Sequence, residues 1–216
     1  MSARPSPRRR PRRLSRPRLA AVLVALLLAG CAGDPPPPTN FYELGAPEMG
    51  LRFDPPLLAG TAVVERFDAE GVVNERALLY KHGDGPQLRQ YNYHDWASAP
   101  ASLIRDTVVA AYRRAGLAER VVSSRLRLLP DVRVTGRITQ LYHHDVAERE
   151  AAVLALEITI ARARDGEVLL LDSYIHRQPL SGSGVPAAVQ GLETALGAIL
   201  AQSLRDLAER QEREIA

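Results

Sequence analysis

Val153–Ala163 (VLALEITIARA), Asp165-Gly166 and Glu167–Gln178 (EVLLLDSYIHRQ) form the stretch that decides the fold. In the first segment Leu154, Leu156, Ile158 and Ile160 fall on every second position, the period of a strand with one buried face. Asp-Gly between two such segments is a strong hairpin signal. Upstream, Asp131–Tyr142 alternates in the same way through Val132, Val134, Gly136 and Ile138, so three consecutive strands are expected. Downstream, Ser181-Gly182-Ser183-Gly184 breaks the pattern and the period changes. Val189, Leu192, Leu196, Ile199, Ser203 and Leu207 recur at three- and four-residue spacing, which predicts a helix over 185–210 with a core-facing stripe.

The same reading continues toward the N-terminus. Ser98–Ala115 is expected to be helical, with Leu103, Ile104, Val108, Ala111 and Tyr112 along one side and Gly116 as its stop. Ala77–Lys81 and Leu88–Tyr93 read as a strand pair around the turn residues His82-Gly83-Asp84-Gly85-Pro86, and Thr61–Phe67 as a first strand. The order is strand, hairpin, helix, three strands, helix. Two hairpins exclude an all-parallel sheet. The expected fold is a single α/β domain over 41–216, with one mixed β-sheet packed by two main helices.

The first thirty residues are of a different kind. They carry eight arginines and no acid, followed by the apolar run Leu19–Leu28. Removing those eight charges from the net +3 leaves −5 from Cys31 onward. The pI of about 9.3 therefore describes the leader, and no nucleic-acid partner is expected. A basic region, a short apolar core and small residues at the end describe a secretory signal, 1–30. The apolar run is about half the roughly 20 residues a spanning helix needs. Residues 31–40 (CAGDPPPPTN) follow as a tether. Pro35–Pro38 favours polyproline II at about 3.1 Å per residue, a semi-rigid spacer of roughly 30 Å.

Leu28-Ala29-Gly30-Cys31 resembles the bacterial lipobox. The resemblance implies cleavage before Cys31 and its modification with acyl chains such as palmitate. Two or more chains hold a membrane firmly where one does not. Ala32, rather than aspartate, follows the cysteine, a pattern that sends such lipoproteins to the outer membrane.

Few residues suggest catalysis. Cys31 is the only cysteine, so no intrachain disulfide can form. There is no Gly-x-Ser-x-Gly elbow and no phosphate-cradling glycine loop. His143-His144-Asp145 has metal-ligand residue types, but neighbours on a strand point to opposite faces. It is read as a strand cap entering a polar loop, with no metal, no cofactor and no enzymatic activity expected. The aromatic group Tyr80, Tyr91, Tyr93 and Trp96 has two readings. It braces the corner where strand meets helix, or it forms a partner-binding surface, where Tyr and Trp are enriched. Tyr91 and Tyr93 are expected on one strand face, with Trp96 just before the helix.

Glu75–Tyr80 (ERALLY), Leu88–Ala97 (LRQYNYHDWA) and the opening Phe41-Tyr42-Glu43-Leu44 resemble the ABC-type transport auxiliary lipoproteins over the whole mature chain. Members commonly carry arginine before the tryptophan, where this chain has Asp95. The resemblance implies a lipoprotein component of an MCE/ABC-type phospholipid transport system. Such a component docks a periplasmic MCE protein, supports membrane integrity and is held on the outer membrane by its lipid, and a homo-oligomer is compatible with that role. A second function class stays open, an envelope assembly or regulatory lipoprotein such as a cell-wall synthase activator. A third is a hydrolase using His143 or His144.

Overall fold

Strand β7, Val132–Asp145, organises the sheet. The computed structural model describes residues 35–146 and 149–215. The chain divides into two units, Met1–Pro38 and Thr39–Ala216, and the fold described is that of the second. The signal segment 1–30, Cys31 and the first residues of the tether lie outside the described residues.

On one side β7 pairs antiparallel with β8 (Ala151–Arg162), which pairs antiparallel with β9 (Val168–Pro179). Gly166 turns that hairpin at φ +77°, as Asp-Gly predicts, and the Asp165 carboxylate accepts the Glu167 amide at 3.2 Å. Along the other side of β7 three earlier strands lie parallel to it. These are β2 (Leu58–Val64) beside 132–134, β3 (Asp68–Ala69) beside 137–138, and β4 (Ala77–His82) beside 143–145. Beyond β2 lies β6 (Ala118–Ser123); beyond β4 lie β5 (Arg89–Trp96) and β1 (Asn40–Tyr42). The sheet is mixed, as expected.

Two helices cover one face, α1 (Pro100–Ala115) and α2 (Gly184–Ile215). Proline at the first position of α1 suits its start, because that amide has no partner in a helix. Gly116 ends α1 in the left-handed conformation, and a Cβ there would strike the Phe53 carbonyl. Ile104, Val108, Ala111 and Tyr112 of α1 are buried, and so is every stripe position of α2 named above. Burial of each large apolar side chain is worth about 1.5–3 kcal/mol. The Tyr112 hydroxyl bonds Ser203 Oγ at 2.8 Å inside the core and ties the helices together. Burial raises the Tyr112 pKa above its ordinary 10, so it stays protonated.

Three short strands, β1, β3 and β6, were not expected. β3 and β1 have two and three residues, too few for a period to show, and β6 (AERVVS) follows the α1 stop directly. The first long strand begins at Leu58 and ends at Val64, three residues earlier than the β-rich run suggests. The His143-His144 reading is also corrected. Both lie within β7 rather than capping it, at 3% and 5% exposure. The strand extends this far because β4 and β8 both pair with it there.

Candidate functional site

The four aromatic residues gather around β5, but not as a single surface. β5 is irregular: Leu79 of β4 faces Gln90, while Ala77 faces Asp95, so β5 contains three more residues than β4 over the same span. Tyr93 sits within this bulge at φ +62°, a conformation uncommon for a residue with a side chain. The bulge changes which side chains point inward. Trp96 and Tyr91 pack into the core, His94 lies against the Tyr91 ring, and Tyr93 is left 43% exposed. Tyr91 and Tyr93 therefore do not share a face, because strict alternation fails across a bulge.

Trp96 is the last residue of β5 and is 2% exposed, so it braces the core. Its amide and carbonyl both bond Arg76, through the Arg76 carbonyl at 2.6 Å and Nε at 3.0 Å. The Arg76 guanidinium lies 5.3 Å from the centre of the Phe41 ring, which is 60% exposed. Phe41 pairs with Asp95, next to the bulge, so the exposed part of the corner is Phe41, Tyr93 and Arg76.

Behind it is a half-buried stack. Tyr80 and Tyr91 rings are 4.4 Å apart, and Tyr91 packs against His94 and His143. The Tyr42 hydroxyl meets His94 Nδ1 at 2.8 Å, and the Tyr91 hydroxyl meets His143 Nδ1 at 2.7 Å. His143 Nε2 is 3.3 Å from Glu150, too poorly aligned to hydrogen bond, and neither atom has another partner. Burial holds the His143 pKa below 6.5 against the opposing pull of Glu150 and Asp145. The neutral ring that keeps its proton on Nε2, facing the carboxylate, leaves Nδ1 to accept from Tyr91. Burial first, then the charge of Asp145, pushes the Tyr91 pKa up to about 12. The arrangement is a hydrogen-bonded wedge that fixes β1, β5 and β7 to one another.

His144 points to the opposite face, toward Gly83, Asp84 and Arg177. The two histidines thus diverge, as strand geometry dictates. Among the described residues no group of three or more His, Cys, Asp or Glu is placed to hold a metal ion. An open cavity of about 790 Å³ near His144 is lined by Asp84, Arg149, Glu150 and Arg177. The aromatic cluster was visible in the sequence, but Tyr42, His94, His143 and Glu150 were not recognised as its partners. The one signal for Tyr42 was the opening Phe-Tyr-Glu-Leu.

A mixed sheet of nine strands, covered on one face by two helices, defines the structural class. It is shared with a crystal structure of protein XCC0632 from Xanthomonas campestris, of family DUF330. That match has 15% identity and a TM-score of 0.65, covering 81% of this chain and 99% of that one. A second crystal structure, of an uncharacterized protein, matches at 20% identity and a TM-score of 0.58, covering 83% of this chain and 100% of the other. No curated protein sequence matches. The model of the ABC-type transport auxiliary lipoprotein component matches residues 42–203. The chain belongs to that family, and it is an auxiliary lipoprotein of ABC-type transport.

Proposed function

We propose that this chain is the outer-membrane lipoprotein of an MCE/ABC-type system that moves phospholipid between membranes. The family match over 42–203 carries this reading. The lipobox-like Leu28-Ala29-Gly30-Cys31 supports it by supplying a lipid attachment point at Cys31. Cys31 holds the chain to the outer membrane, and the proline tether sets the domain off by roughly 30 Å. The periplasmic MCE protein docks on the corner of Tyr93 and Phe41, with Tyr80, Tyr91 and Trp96 holding that corner in shape. An exposed tyrosine on a rigid support is a low-entropy contact residue.

The test is a photo-crosslinking amino acid at Tyr93 or Phe41 in living cells. The expected product is an adduct with an MCE protein, and deletion of the gene should raise sensitivity to detergent. An intact barrier after deletion, with no MCE adduct from either position, overturns the proposal.

A further inference from the structure

Strand β9 is a long edge of the sheet. Among the described residues β9 pairs with β8 and with no other strand. It is twelve residues long, and its register with β8 is unbroken from Leu170 to Pro179. Natural edge strands discourage pairing with bulges, lysines, prolines or short length. β9 has no lysine, no glycine and no proline before its final residue.

Its two faces differ. The inward row is held by α2, where the Arg210 guanidinium meets Asp172 at 2.5 Å and the Tyr174 hydroxyl donates to Asp206 at 2.9 Å. The outward row, Leu171, Ser173, Ile175 and Arg177, is exposed, with Leu171 at 59% and Ile175 at 66%. Two large aliphatic side chains, two strand positions either side of a serine, form a pattern that is complementary to itself.

We infer that β9 pairs antiparallel with β9 of a second copy, about a two-fold axis at Ser173. In that register Leu171 of each copy faces Ile175 of the other, giving two aliphatic cross-strand pairs around Ser173 facing Ser173. Moving the axis to Asp172 sets two carboxylates against each other. Moving it to Tyr174 sets Ser173 against Ile175 and breaks both aliphatic pairs. Only a partner with the same sequence gives this symmetry, and a two-fold contact closes on itself rather than growing a fibre. The inference does not depend on the transport reading.

Cysteine crosslinking of the full-length protein in cells tests it. Facing residues in an antiparallel pair lie about 4.5–5.5 Å apart at Cα, within disulfide reach. Ser173→Cys should give a covalent dimer on mild oxidation. Leu171→Cys alone should not, because its mate lies about 14 Å away along the strand. Leu171→Cys combined with Ile175→Cys should restore the dimer. A Ser173→Cys variant that captures no copy of itself, or captures a different protein, overturns the inference. So does equal crosslinking by Leu171→Cys alone. Leu171→Lys with Ile175→Lys, both at exposed positions, should reduce the dimer fraction of detergent-extracted protein at least tenfold. Wild-type protein measured as a monomer overturns the inference.

Discussion

The two halves of β7 follow different rules. From Val132 to Ile138 the strand alternates cleanly, with Val132, Val134 and Ile138 in the core and Arg133, Thr135 and Arg137 facing outward. From Leu141 to His144 four consecutive residues are buried, two of them histidines. A bulge separates the halves, because Ile138 faces Leu156 while Gln140 faces Ala155. Helices cover one face of the first half. In the second half the outer face is covered too, where Leu79, Tyr142 and Val153 form their own small cluster with Val73 and Leu88. One-sided burial gives alternation; two-sided burial erases it and forces polar residues there to find partners.

Four measurements would break or sharpen this contrast. The largest effect is expected in the alternating half. Ile158 is fully buried opposite Gly136, and Ile158→Ala should cost about 2–5 kcal/mol in urea denaturation. A loss below 1 kcal/mol would mean that this half is loosely packed. In the second half Tyr91→Phe removes the hydroxyl bonded to His143 and leaves a buried ring nitrogen alone. The expected loss is about 1–3 kcal/mol, and an unchanged urea midpoint would show that the wedge is not needed.

The third contrast is in pH. Burial lowers the His143 pKa in the fold, so as pH falls below 6.5 the unfolded chain binds a proton that the folded protein resists. Stability should decline through that window, become level once pH passes below the folded pKa, and be flat above 6.5. His143→Phe should flatten the decline between pH 6.5 and 5, whatever it does to absolute stability. A slope that persists in His143→Phe would place its origin elsewhere. The smallest effect belongs to the outer face of the first half. Arg133 pairs with Glu65 at 3.1 Å, but is half exposed, so Arg133→Ala should shift stability by less than about 1 kcal/mol.

The same contrast explains what could be read from the chain. The β8–β9 hairpin, α1 with Gly116, the stripe of α2 and the first half of β7 each carry a local period or a turn dipeptide, and each was found. The end of β7, His143–Asp145, reads as a strand cap entering a loop, because His-His-Asp is polar and only the neighbouring strands bury it. Tyr91 and Tyr93 were placed on one face, because nothing in Tyr-Asn-Tyr marks the bulge. The candidate site suffered more than the fold for this reason. Of its residues Tyr80 and Tyr91 stack on each other, while Trp96 belongs to the core and Phe41 and Tyr93 to the surface.

By itself the sequence determined the fold class, the two long helices, the β8–β9 hairpin and the different character of the first thirty residues. All of these follow from periodicity, turn chemistry and charge, which act over a few neighbouring positions. Only the tertiary structure decided that β2, β3 and β4 line up in turn along β7, that a bulge sends Tyr91 inward and Tyr93 outward, and that β9 is left as an unprotected edge. Those outcomes depend on which distant strand supplies hydrogen bonds and which face loses its water, and residues far apart in the chain settle them together.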